Sequence, residues 1–133
     1  MSRSRKIFMF ANIVLPLLVG TCIYVLLSPD VAFVSLVYDD SNASYALPRM
    51  EWQIFRNYVP DMLWAYALVF AVTAIMNGVL TGKTLLLVLA FSALMEIIQI
   101  IPGICGTFDP ADILVEGIAT VFAAIMIIST RRH

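Results

Sequence analysis

Hydrophobic residues are concentrated in four long segments of the chain, and most polar residues lie between them. A very short turn at Gly82-Lys83 joins the second and third segments. Each segment has about 20 residues, which as a helix rising 1.5 Å per residue matches a hydrocarbon core about 30 Å thick. Because a backbone in lipid must satisfy its own hydrogen bonds, the pattern predicts four transmembrane helices. They cover residues 7–27, 62–81, 84–102 and 110–129.

The polar connection between the first two segments, residues 28–61, is long enough to contain structure of its own. A serine, a proline and an aspartate at its start are typical of a helix N-terminus and favour a short interfacial helix over residues 31–38. Further along, Trp52, Phe55 and Val59 predict an amphipathic face lying on the membrane. We therefore expect a loop that carries short interfacial helices.

Composition supports the same fold class. Hydrophobic residues make up 62% of the 133 residues and charged residues 13%, whereas soluble domains have about 45–50% and about 25%. A soluble domain of this size could not bury so much apolar surface. The net charge of −1 provides no basic field for nucleic acid. The prediction is an all-α membrane protein with a single domain, residues 1–133, whose partner is the lipid bilayer.

The distribution of basic residues predicts the orientation. With the N-terminus in the cytoplasm, six of the eight basic residues lie on the inner side and two on the outer side. Cytoplasmic loops carry an excess of lysine and arginine, so both termini are expected in the cytoplasm and the long loop outside. The inner residues are Arg3, Arg5, Lys6, Lys83, Arg131 and Arg132, and the outer ones are Arg49 and Arg56.

Acidic and amide residues inside the last two segments are the candidate chemistry, because a charge in lipid costs about 2.5–3.5 kcal/mol on insertion scales. Glu96 and Gln99 share one helical face near the outer end of the third segment. Asp109 is predicted to cap the fourth helix, with Asp112 three residues further and Glu116 one turn below. These five residues predict an acidic ligand-binding group that opens toward the outer face.

Each of these residues also has a structural interpretation. Asp109 and Asp112 complement the dipole at a helix start. Glu96 with Gln99 would lock two helices together through hydrogen bonds. Glu116 lies near the interface and would simply be hydrated there. Whether Glu96 and Glu116 face each other depends on helix rotation, which the sequence leaves open.

The chemistry of the acidic group allows three uses. Two close carboxylates can share a proton and act as acid and base. Oxygen ligands could hold a divalent cation; the cofactor is therefore unknown, and no metal ligands are assigned. Carboxylates could also bind the amine or hydroxyls of a lipid head group. The single histidine is the last residue, His133, and Cys22 and Cys105 are far apart in the sequence, so a catalytic centre based on histidine or a zinc site is not expected.

The remaining polar, small and aromatic residues of the segments are predicted to be structural. Asn12 and Asn77 would hydrogen-bond between helices, and Pro16 with Gly20 would give the first helix a bend and a closely packed face. Aromatic residues near the outer ends are typical of an interfacial belt. The belt would comprise Trp52, Tyr58, Trp64 and Tyr66.

Several of these pieces occur in an order that resembles the VanZ-like family of bacterial membrane proteins. The main stretch is Glu96-Ile-Ile-Gln99, then Pro102-Gly103, then Thr107-Phe-Asp-Pro-Ala-Asp112-Ile-Leu. Supporting pieces are Leu15-Pro-Leu-Leu-Val-Gly20 with Tyr24, and Pro60-Asp61-Met-Leu-Trp64-Ala-Tyr66. Together they cover most of the chain. The sequence departs from the family pattern at Cys105-Gly106-Thr107, where many members have an arginine, and at Glu116 and Ala119, where many have asparagine and glycine.

The resemblance implies a location in the bacterial inner membrane and a role in the cell envelope. The family's namesake is associated with resistance to a glycopeptide antibiotic that acts on the cell wall. The expected function is binding of a lipid-linked or wall-related ligand at the outer acidic group. A small membrane enzyme acting on an envelope lipid through paired carboxylates is the alternative, and a proton or ion pathway is a third, so whether the protein is an enzyme stays open.

Overall fold

The computed structural model describes residues 1–27, 50–101 and 109–130, and all regular structure in these ranges is helical. The interfacial helix predicted over residues 31–38 and the link over residues 102–108 lie outside them. The helices are α1 (Arg3–Leu27), α2 (Met50–Ile75), α3 (Gly82–Ile98) and α4 (Pro110–Ser129).

Three of the described helices are long and apolar enough to cross a membrane: Arg3–Leu26, Ile54–Ile75 and Pro110–Ser129. The described residues thus confirm an all-α fold, with three helices that could span a membrane. Helix α3 is more apolar than α1 and α2 but has only 17 residues, about 25 Å at 1.5 Å per residue. It ends at Ile98, whereas the sequence pattern predicted apolar helix as far as residue 102, because the chain turns after Gln99.

Helix α2 differs from its predicted form at both ends. It begins at Met50 and continues through Pro60 as one helix, so the surface helix predicted around Phe55 and Val59 is the first part of α2. Pro60 is fully buried and, as a proline, has no N–H to donate to the carbonyl four residues earlier. At the other end the helix stops at Ile75, six residues before the predicted boundary.

The turn between α2 and α3 comprises residues 76–81, so the turn predicted at Gly82-Lys83 is wrong. Asn77 and Gly78 have positive φ angles of 56° and 79°, a conformation that asparagine and glycine adopt readily and that ends a helix. Thr81 then caps α3 by accepting a hydrogen bond from the Thr84 backbone N–H. Asn77 therefore belongs to the turn and not to a span. The Arg5 guanidinium donates to the Gly78 carbonyl at 2.8 Å and fastens α1 to this turn.

The core of the bundle lies where α2 contacts the other three helices. Phe70 is completely buried and packs with Met9 of α1, Val88 of α3 and Ile127 of α4. Many large apolar side chains face outward instead. Examples are Leu26 (73% exposed), Leu86 (68%) and Leu114 (66%). Such an outer surface is expected of helices whose surroundings are lipid.

A polar contact inside the bundle connects α1 and α2. The Tyr66 hydroxyl donates to Asn12 Oδ1 at 2.6 Å, and the Asn12 amide donates to the Phe8 carbonyl at 2.9 Å. The predicted interhelical bond of Asn12 is thus confirmed. Tyr66, predicted as part of the aromatic belt, instead turns its hydroxyl into the bundle, because the amide of Asn12 gives it a partner there.

Close packing near Gly20 brings α1 against α2. A Cβ atom at Gly20 would lie 2.8 Å from Nε1 and 3.1 Å from Cδ1 of Trp64. The indole is held in place by Tyr24, whose ring centroid is 5.4 Å away. Gly20 therefore lets the two helices approach, as the sequence predicted.

Replacing Gly20 with alanine is expected to lower the free energy of unfolding by about 1 kcal/mol, because the added methyl displaces a stacked indole. Unfolding of the purified protein in a denaturing detergent titration measures the change. Gly117→Ala is the matched control, since a Cβ there meets no atom within 4 Å. Equal losses in the two variants would contradict the packing argument.

Candidate acidic ligand site

The start of α4 is built around Asp109. Its backbone is extended (φ −128°, ψ 111°), and Oδ1 accepts a hydrogen bond of 2.9 Å from the Ala111 backbone N–H. Pro110 occupies the first turn, where its missing N–H costs nothing. Asp112 follows in the same turn. The predicted N-cap is therefore confirmed, and the helix start fixes the carboxylates of Asp109 and Asp112 at one end of the bundle.

Tyrosines hold two carboxylates of this end in place. The Tyr58 hydroxyl of α2 donates to Asp109 Oδ2 at 3.0 Å. The Tyr24 hydroxyl of α1 donates to Asp61 Oδ1 of α2, also at 3.0 Å. The first bond places the start of α4 beside α2, and the second places the end of α1 beside the same part of α2.

Glu96 connects the end of α3 to the start of α4. Its side chain is only 6% exposed. Oε1 accepts from the Gln99 amide at 3.0 Å, and Oε2 accepts from the Asp109 backbone N–H at 3.3 Å. Both oxygens are thus occupied, one within the end of α3 and the other in joining α3 to α4. This geometry favours the interpretation of Glu96 and Gln99 as a structural lock.

Glu116 lies on the face of α4 that meets α3. Ser92 of α3, itself buried, is the hydrogen-bonding neighbour of its carboxyl. The other oxygen, Oε2, is buried without a hydrogen-bond partner among the described residues. The carboxyls of Glu96 and Glu116 lie within electrostatic range of each other, as expected from their predicted similar depth.

The charged neighbours of these carboxyls are themselves acidic. Within the described part of the chain, Asp112 is within electrostatic range of Asp61, Glu96 and Asp109, and Glu116 is within range of Glu96 and Asp112. Like charges in a low-dielectric setting need protons or cations to balance them. We call this group the acidic end of the bundle. It comprises Asp61, Glu96, Asp109, Asp112 and Glu116.

The acidic side chains do not converge on one point. In residues 1–27, 50–101 and 109–130, no three acidic, cysteine or histidine side chains form a group that would hold a metal ion. Asp112 and Glu116 are half-buried, and no described residue donates a hydrogen bond to Asp112. Asp112 is therefore the carboxyl best placed to hydrogen-bond with a head group, whereas Oε2 of Glu116 is buried.

Four of these five acidic residues were predicted from the sequence, and the fifth, Asp61, was missed. The apolar pattern of the second span starts only after Asp61, so hydropathy places this residue at the end of the long loop. Tyr24, Tyr58 and Ser92 were also missed as site residues. The signal that could have found Asp61 is its place one helical turn after Tyr58, which puts both side chains on one face of a helix extended toward the loop.

Comparisons of the chain with family models, with curated proteins and with solved structures found no match. The resemblance to the VanZ-like family stays a prediction. Among the residues on which this resemblance rests, four belong to the acidic end of the bundle: Asp61, Glu96, Asp109 and Asp112. A fifth, Tyr24, donates a hydrogen bond to Asp61.

Proposed function

We propose that the protein is a four-span membrane protein of the bacterial inner membrane that binds an envelope ligand at its acidic end. The observation that carries the proposal is the gathering of carboxylates from three helices, whose charged neighbours among the described residues are acidic. Such a surface attracts an ammonium group or hydroxyl donors. The ligand would be lipid-linked or related to the cell wall, in agreement with the resemblance to the VanZ-like family and its link to glycopeptide resistance.

The direction of the helices supports the proposed four spans. The Tyr58–Asp109 bond places the early part of α2 and the start of α4 at the same end. In a membrane, helix α3, which connects them, would return across the same thickness. Its 17 residues are short for a span, and local thinning of the bilayer would accommodate the difference.

The orientation is supported by the basic residues at the other end. Arg5 contacts the α2–α3 turn, and Lys83 lies in the first turn of α3. By the positive-inside rule this end faces the cytoplasm, and both termini lie there with it. The acidic end then faces outward, where envelope lipids and wall precursors are found.

Binding is favoured over catalysis by the state of Glu96. An acid–base pair would need two carboxyls that reach one substrate atom, but both oxygens of Glu96 already accept hydrogen bonds, one from Gln99 and one from the Asp109 backbone N–H. Asp61, Asp109, Asp112 and Glu116 are all half-buried, but Asp61 and Asp109 accept hydrogen bonds from tyrosines, which leaves Asp112 and Glu116. They are the side chains we expect a ligand to contact.

The test is the thermal stability of the purified full chain with and without candidate ligands. The probes are magnesium chloride, a polyprenyl-phosphate lipid and an amine-headed phospholipid. A ligand at 100 times its Kd raises the free energy of unfolding by about 2.7 kcal/mol. We expect at least one lipid probe to stabilise the wild type, and the Asp112→Asn/Glu116→Gln double variant to lose that shift.

Lys83→Gln at the opposite end is the control and should respond like the wild type. Equal shifts in the wild type and the acidic double variant would overturn the proposed site. A response to magnesium alone that the double variant abolishes would replace the lipid ligand with a cation.

A further inference from the structure

Three polar side-chain atoms are buried without a hydrogen-bond partner among the described residues. They are Oγ1 of Thr73, Oε2 of Glu116 and Oγ1 of Thr120. The side chains of Thr73 and Thr120 are 0% and 1% exposed. Nearly all buried polar groups in proteins are paired, and an unpaired one lowers stability, so each of these atoms calls for an explanation.

Two of the unpaired atoms lie together on α4. Thr120 follows Glu116 by four residues, about one helical turn, so both side chains are on the same face of the helix. The Cα–Cβ bond of a helical residue tilts toward the helix N-terminus, and Thr120 therefore points toward Glu116. This face is turned into the bundle, where Ala123 and Ile127 are also buried. Thr73 lies on α2, close to the α2–α3 turn, and is not part of this pair.

Helix α3 adds a third oxygen to this pair. Ser92 is buried, and its hydroxyl is hydrogen-bonded to the carboxyl of Glu116. It belongs to a row of buried α3 side chains at every fourth position, which faces the other helices. One carboxylate and two hydroxyls from two helices thus lie within about one helical turn of each other, on the inner side of the acidic end.

The charges around Glu116 are negative. Its titratable neighbours are Tyr24 on α1, Asp61 on α2, Glu96 on α3 and Asp112 on α4. None of them is a cation, and a carboxylate removed from water needs a counter-charge. No three acidic, cysteine or histidine side chains of the described residues form a group that would hold a metal ion. A single carboxylate with hydroxyl oxygens therefore matches a hard cation of charge +1.

We propose that Glu116, Ser92 and Thr120 form a binding site for an alkali-metal cation, sodium or potassium, between α3 and α4. The ion balances the charge of Glu116, and the two unpaired oxygens become its ligands. Water supplies further ligands, as is usual for hard cations. Asp112, one turn above Glu116, is half-buried and attracts the ion toward the site. The inference goes beyond the proposed function, since it needs no envelope ligand.

The experiment compares the melting temperature of the detergent-purified full chain in sodium, potassium and choline chloride at equal ionic strength. Choline has the same charge but is too large to enter between two packed helices. Thr120→Val removes the hydroxyl and keeps the shape, Thr120→Ser keeps the hydroxyl, and Glu116→Gln removes the charge. Thr21→Val, at an exposed position of α1, is the matched control.

We expect sodium or potassium to raise the melting temperature of the wild type above its value in choline chloride. Titration of that salt gives a Kd, which Thr120→Val and Glu116→Gln should weaken at least tenfold. Thr120→Ser and Thr21→Val should respond like the wild type. In choline chloride, Thr120→Val should be at least as stable as the wild type, because it removes an unpaired buried hydroxyl. A hydroxyl with a purely structural role would give the opposite result, a loss in every salt.

Other results would also overturn the inference. Equal melting temperatures of the wild type in the three salts would mean that no alkali cation binds. Equal responses of the wild type, Thr120→Val and Glu116→Gln would place the cation elsewhere. Stabilisation of the wild type by acidification, with no further shift from either alkali cation, would give the buried oxygen of Glu116 a proton instead. These measurements contain no lipid, so the proposed ligand site keeps its own separate test.

Discussion

Replacement of Phe70 with alanine is expected to lower the free energy of unfolding by about 3 kcal/mol, because it leaves a cavity in the packed centre of the bundle. Phe70 is 0% exposed, and its ring lies 5.8 Å from that of Phe8 and 4.9 Å from that of Tyr66, between centroids. In a membrane the loss comes from packing and from the cavity, since lipid would solvate the ring as well as the core does. Unfolding titrations in a denaturing detergent measure it.

Phe91→Ala is the matched control for Phe70→Ala. Phe91 is an aromatic residue of α3 that is 50% exposed, so its removal leaves no sealed cavity. Its loss should stay below about 1 kcal/mol. Similar losses at the two positions would mean that Phe70 is not part of a packed core.

Glu96→Ala is expected to lower the free energy of unfolding by about 2 kcal/mol. The substitution leaves the Gln99 amide and the Asp109 backbone N–H without their acceptor, and hydrogen bonds to a charged group contribute about 1.5–3 kcal/mol each. Part of the loss is offset, because one negative charge disappears from a cluster of like charges. The same detergent titration gives the value.

Two milder substitutions separate the hydrogen bonds of Glu96 from its charge. Glu96→Gln keeps one acceptor oxygen and should lose about 1 kcal/mol. Asp112→Asn removes a charge from the same cluster at a side chain that accepts no bond from the described residues, so stability should stay equal or rise. A loss in Asp112→Asn as large as in Glu96→Ala would show that the charge, and not the lock, stabilises this end.

The local features that the sequence predicted correctly depend on short-range rules. The N-cap at Asp109 and the proline after it follow from the order of side chains at a helix start. Helix α4 spans the predicted residues, because its boundaries are set by that cap and by a continuous apolar run. The predicted end of α2 was wrong, since an asparagine–glycine pair with positive φ angles stops the helix within an apolar stretch.

Residues of the acidic end that belong to α1 and α2 were harder to predict. Asp61 and Tyr58 precede the apolar run of the second span, and hydropathy alone assigns such residues to a loop. Their role depends on α2 extending back to Met50 and on Tyr58 meeting Asp109, 51 residues later. The hydrophobic pattern within one segment cannot reveal a contact between residues of two different segments.

By itself, the sequence determined that this chain is helical, with helices long and apolar enough to cross a membrane, because the length and polarity of its segments match the lipid and a backbone in lipid must hydrogen-bond internally. It also determined the start of α4 and four of the five acidic residues. Tertiary structure alone decided that the oxygens of Glu96 are occupied by α3 and α4, and that Asp112 stays accessible. Helix rotation and packing set those contacts, and they depend on side chains from several helices at once.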